Sequence, residues 1–121
     1  MADKFRMADE FMMKERNAKY RIGEIVRHRH YPFRGVVFDV DPEFSNTDEW
    51  WESIPEHIRP TKDQPFYHLL AENAETEYVA YVSEQNLELD TTGEPVRHPQ
   101  VPEMLAADGD GGWRVRSERL Q

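Results

Sequence analysis

The densest concentration of chemistry-bearing side chains in this sequence is Arg27-His28-Arg29-His30-Tyr31-Pro32-Phe33-Arg34. Arginines of this kind contact phosphate oxygens, and interleaved rings can stack on bases. In an extended chain Arg27 and Arg29 fall on one face, and His28 and His30 on the other. Arg27, His28, Arg29, His30 and Arg34 are therefore the candidate nucleic-acid-contacting residues. The same spacing fits an exposed basic edge strand whose charge prevents sheet-to-sheet pairing, with the aromatic rings turned into a core. Spacing alone favours that second reading.

Three other groups could do chemistry. His28 and His30 could share a metal with His57, His68 or His98, but two neighbouring histidines fall short of the three or four placed ligands that zinc requires. Asp39 and Asp41 could form an acid–base pair, yet both lie by the proline turn at Pro42 in an acidic run where solvated carboxylates are the ordinary outcome. There is no Gly-rich phosphate loop, no Gly-x-Ser-x-Gly and no His-Glu-x-x-His. The expectation is a non-enzyme with no catalytic set, no metal and no cofactor. Trp50, Trp51, Phe66 and Tyr67 form an aromatic group suited to anchoring protein contacts. Alternatively, the segment folds back and the tryptophans cap the fold.

The composition bounds these readings. The chain has 121 residues, a one-domain length, and a formal net charge of −9. Such a charge repels nucleic acid and anionic membranes at long range. It is unevenly spread: Tyr20 to Val37 holds four arginines and one acid, whereas Phe38 to Glu52 holds six acids and no base. Any nucleic-acid contact must use the first stretch. With no cysteine, disulfides, thiolate zinc sites and thiol chemistry are excluded. No apolar run approaches the roughly 20 residues of a membrane span, and no secretory signal is visible, so a cytoplasmic location is expected.

The elements that must position these side chains are short strands. Ile22 to His28 and the alternating run Val36, Phe38, Val40 against Val37, Asp39 read as two strands joined by a turn at Tyr31-Pro32. Phe66 to Ala71 and Tyr78 to Val82 read as a second pair, linked by the polar turn Glu72-Asn73-Ala74-Glu75. Ser83 to Asn86 reads as one helical turn before a last strand at Leu87 to Leu89. Five short strands without a long helix predict a mainly β fold, a small barrel or sandwich. The insert from Asp41 to Pro65 contains Trp50, Trp51 and four prolines, too irregular for sheet. Gly93 to Pro99 should run extended across the surface, and a flexible tail should start near Ala106. The expected organisation is a flexible or weakly helical arm over 1–18, a barrel domain over 19–103 and a flexible tail over 104–121.

Five blocks, in order, carry a family resemblance: Tyr20-Arg-Ile-Gly-Glu-Ile-Val-Arg-His28, Arg34-Gly-Val-Val-Phe-Asp-Val-Asp-Pro42, Asp63-Gln-Pro-Phe-Tyr-His68, Tyr81-Val-Ser-Glu-Gln-Asn-Leu87 and Gly93-Glu-Pro-Val-Arg-His-Pro99. Together they resemble the heat-shock protein HspQ family, the YccV-like hemimethylated-DNA-binding domain. The resemblance implies a small SH3-like five-stranded β-barrel that binds hemimethylated duplex DNA. It also implies a stress-response role as a specificity factor that enhances degradation of client proteins by the Lon protease, and homo-oligomers, trimers included. It implies no catalytic set. Charge alone favours a protein partner, whereas the resemblance favours DNA.

Overall fold

A computed structural model describes residues 17–107 and 113–116. Most of the expected arm, residues 1–16, and residues 108–112 and 117–121 of the expected tail lie outside the described residues. The chain runs through β1 (Ile25–His28), β2 (Arg34–Asp41), α1 (Asp48–Glu52), a 3-10 turn (Glu56–Ile58), β3 (Phe66–Glu72) and β4 (Glu77–Ser83). A second 3-10 turn (Glu84–Asn86) leads to β5 (Leu87–Leu89), α2 (Val101–Met104), β6 (Leu105–Ala107) and β7 (Trp113–Val115). The first five strands form one antiparallel sheet in the order β4-β3-β2-β1-β5.

The mainly β expectation holds, and the strands and the Ser83–Asn86 turn lie where the alternation places them. The barrel, however, is not closed. No described strand joins β4 to β5. β5 has three residues and pairs with β1, and the chain reaches it from β4 through the second 3-10 turn. Tyr20 fills part of the gap. Its ring stands edge-on to Tyr67 at 5.4 Å, and its hydroxyl donates to the Leu87 carbonyl at 3.1 Å.

A register shift between Val37 and Asp39 changes the expected faces of β2. This bulge lets Val37 and Val40, three residues apart, pack on one core with Val26, Tyr67, Leu69 and Leu87. Val36 and Phe38 instead join a second cluster with Val96, Leu105 and Met104 on the opposite face. That second cluster anchors the chain beyond Asp90. Gly93 to Pro99 crosses without regular structure, as expected. The expected flexible tail is different: β6 and β7 pair through Leu105↔Val115 and Ala107↔Trp113. Leu105 is buried, and the Trp113 indole lies against Gly23. In the insert, α1 begins at Thr47, whose hydroxyl accepts from the Trp50 N–H at 3.1 Å, and Asp48 and Glu49 favour its first turn.

Candidate nucleic-acid interface

Strand register decides the fate of the basic segment. Directly opposed pairs place Glu88, Arg27, Arg34, Glu72 and Glu77 in one row across all five strands. Opposed residues of antiparallel strands share a face. Two arginines therefore lie side by side, each flanked by an acid.

Arg34 is engaged within the fold. Its side chain is only 17% exposed. Its Nε and Nη2 donate to Glu72 at 3.2 and 3.1 Å, and its Nη1 to Asp90 at 3.0 Å. The same guanidinium donates to the carbonyls of Glu94 at 2.8 Å and Pro95 at 2.7 Å. Burial alone would raise the Glu72 carboxyl. The Arg97 backbone N–H and the Arg34 guanidinium outweigh it and hold it below the usual carboxylate range. Asp90 is likewise held low, against burial, by Thr92 and Arg34.

Arg27 and Arg29 remain outward, with side chains 51% and 44% exposed. Both reach Glu88, Arg27 at 2.7 Å and Arg29 at 3.5 Å. Two cations sharing one carboxylate leave a local surplus of positive charge. His28 belongs to an aromatic stack, with Tyr31 at 4.9 Å and Phe33 at 5.1 Å between ring centres. Its Nδ1 accepts from the backbone N–H groups of His30 and Tyr31 at 3.0 and 3.1 Å, which closes the turn. Burial, followed by the neighbouring His30, pushes His28 down to about 4, so at neutral pH it is an uncharged ring. His30 is exposed beside it.

These residues border an open cavity of about 560 Å³ between the β1–β2 turn, the β3–β4 hairpin and the chain after β5. Its rim carries Arg27, Arg29, Arg34 and Arg97 against Glu72, Glu88, Asp90 and Glu94. Opposite charges thus balance here in a chain whose net charge is −9. Arg97 was missed as a rim residue, and so were its acidic partners. Glu88 could have been suspected from Leu87-Glu-Leu89, but its pairing with Arg27 is a matter of register.

The aromatic group divides. Phe66 and Tyr67 are 0% exposed. Tyr67 is held by its hydroxyl, which donates to Glu84 at 2.6 Å; burial and this bond raise its pKa well above the ordinary tyrosine value. Trp51 donates from Nε1 to the Pro60 carbonyl at 2.9 Å, with Lys62 and Arg59 over its ring at 4.7 and 5.0 Å. Trp50 is half-buried and meets Tyr81 edge-on at 5.4 Å.

Asp39, Asp41 and His68 are the described residues whose ligand atoms gather within 4.8 Å and could hold a cation. The β2 bulge sets Asp39 opposite His68. Asp41 Oδ2 already accepts from Tyr81 at 2.8 Å and faces His68 Nε2 at 3.1 Å.

Comparison with known proteins adds the family. A profile described as "Hemimethylated DNA-binding protein YccV like" matches residues 18–111. F-box only protein 21 of Pongo abelii and that of Homo sapiens are each 33% identical over 89 residues, covering 73% of this chain. The Mus musculus protein is 32% identical over the same length. The chain spans only 14% of the length of these curated relatives. No solved structure matches. The profile covers most of the chain, and the five sequence blocks fall within its span; the chain belongs to the YccV-like family of hemimethylated DNA-binding proteins.

Proposed function

We propose that this chain is a non-catalytic regulatory module that binds hemimethylated duplex DNA through the outer face of β1. The observation that carries this reading is the pair of exposed arginines, Arg27 and Arg29, sharing a single carboxylate beside the His28–Tyr31 stack. The family description supports DNA as the ligand. Because the chain as a whole carries a net charge of −9, contact is confined to few phosphates, and binding is moderate and short-ranged.

The experiment is a fluorescence-anisotropy titration of matched hemimethylated, fully methylated and unmethylated duplexes at several salt concentrations. The hemimethylated duplex should bind most tightly. Replacing Arg27 and Arg29 together with alanine should weaken it about tenfold or more and make the log–log salt slope shallower by about 2. Equal affinity for all three duplexes would remove methylation reading, and an unaffected double variant would remove this face.

A second reading is a stress-response specificity factor that enhances client degradation by the Lon protease. It is favoured by an apolar groove of about 340 Å³ along β4, on a chain whose acidity suits protein partners better than nucleic acid. Added protein should raise the rate at which purified Lon degrades a model client. An unchanged rate across several clients would count against it.

A further inference from the structure

The opening that keeps the sheet from closing is itself a built surface. Every residue from Tyr78 to Ser83 lines the groove of about 340 Å³. Successive strand residues point to opposite faces, so six in a row can border one groove only if it follows the strand's edge rather than a face. β4 is the outermost strand of the sheet, and β3 pairs all seven of its residues on the other side. Alternate residues of such an edge present N–H and C=O groups outward. β4 carries no proline, lysine or bulge, the devices that ordinarily blunt an edge.

The banks are apolar. Phe33 packs on Tyr78 and Trp50 on Tyr81, residues of opposite β4 faces, and Tyr31 and Ile54 line the groove with them. Val79 is 56% exposed and Tyr31 43%. Among the described residues lining the groove there is no lysine or arginine, so a phosphate backbone finds no counter-charge. The same described residues hold no carboxylate either, and it is the chain's net charge of −9 that favours a cationic occupant.

We propose that the β4 edge takes an extended, basic polypeptide segment as a sixth strand, with alternate apolar side chains seated between Tyr31–Phe33 and Trp50–Ile54. The occupant's main chain completes the ladder, and its apolar residues cover Val79 and the groove floor. This surface borders the Arg27–Arg29 face through His28, Tyr31 and Phe33, but neither arginine lines it and it does not depend on DNA binding there. The two readings can therefore fail separately.

The test is an NMR titration of the full-length ¹⁵N-labelled chain with a blocked heptapeptide of alternating lysine and valine. Two further versions of the peptide carry N-methyl groups on one or the other alternating set of amides. The amides of residues 77–83 should shift and gain protection from exchange. One methylated version should bind about tenfold more weakly or worse, while the other binds like the parent. Val79→Lys, at an exposed position, should weaken the parent peptide by a similar factor with the fold's spectrum otherwise retained. Shifts confined to the Arg27–Arg29 face would overturn the proposal, as would equal binding of both methylated versions. So would duplex DNA moving the β4 amides, or concentration-dependent shifts of those amides without peptide, which would assign the edge to a second copy of the chain.

Discussion

At the scale of single residues, the arginines of one short segment have opposite roles because of what faces them. Arg27 and Arg29 reach a carboxylate from exposed positions, where an ion pair contributes about 0–1 kcal/mol. Removing them should leave the melting temperature nearly unchanged, so any loss of DNA binding reports on contact rather than folding. Arg34 spends its guanidinium on Glu72, Asp90 and two backbone carbonyls, with Glu72 and Asp90 only 9% and 3% exposed. Arg34→Met should leave the buried Asp90 without its cation and Glu72 with only the exposed Arg97 at 3.7 Å, and cost about 3–5 kcal/mol. The melting temperature should then fall by about 10 °C or more. Arg34→Lys should rescue little of this, because one ammonium cannot reproduce a planar fork serving several acceptors. A melting temperature within a degree or two of the parent in Arg34→Met would mean that this network holds nothing together.

At the scale of elements, the β6–β7 hairpin is fixed by a contact between distant parts of the chain. Gly23 has φ +94°, a backbone region that side chains rarely adopt, and any Cβ there would overlap the Trp113 indole. Gly23→Ala should therefore strain the turn before β1 and unseat β7 together. Trp113 emission should shift to the red, and amide protection across β6 and β7 should be lost, before the five-stranded sheet melts. Unaltered protection in that hairpin would show that it is held by Leu105 alone. The same contact marks where the sequence stops being legible. β3, β4 and the turn between them could be read because their alternation and their Asn73 turn are local. β7 could not, because Asp108-Gly-Asp-Gly-Gly112 has the composition of a linker and nothing near Trp113 indicates its partner. The Val37–Asp39 bulge was hidden for a different reason, since the β2 residues fit simple alternation and only pairing with β3 reveals the shift. At the candidate site, the basic segment was visible and its neutralisation was not. The acids that hold Arg34 lie 38 and 56 positions away. Phe66 and Tyr67 looked available because they border the insert, yet strand position buries both.

At the scale of the whole molecule, acidity sets how the fold answers to pH. Carboxylates ordinarily titrate near 4, so relief of the self-repulsion due to the −9 charge comes late as pH falls. His28 acts earlier and in the opposite sense. Its folded pKa is about 4 against 6.5 for the free side chain, so between those values the unfolded chain takes up a proton that the folded chain refuses. Its neutral form costs no stability above pH 6.5, and stability falls as the pH drops through the window from 6.5 to 4. A shift of this size corresponds to at most about 3 kcal/mol, which solvent around the half-exposed ring reduces. Glu72 and Asp90, both held low, act in the next window down. Their contribution is complete above their ordinary values of 4.5 and 3.8, and is lost as pH falls through the depressed folded ones. Acid unfolding should accordingly show two stages. Urea midpoints at pH 7.5, 4 and 2.5 separate them: the first fall, down to pH 4, belongs to His28 and the second, below it, to the Arg34 network. His28→Asn can still offer an oxygen to the N–H groups of His30 and Tyr31, and it should flatten the first stage while leaving the second. A variant that declines between pH 7.5 and 4 as the parent does would move the first stage to another group. The uncharged state of His28 near neutrality also bears on DNA. Lowering the pH from 7.5 to 6 adds little cation at position 28, so the phosphate-binding work of β1 stays with Arg27 and Arg29.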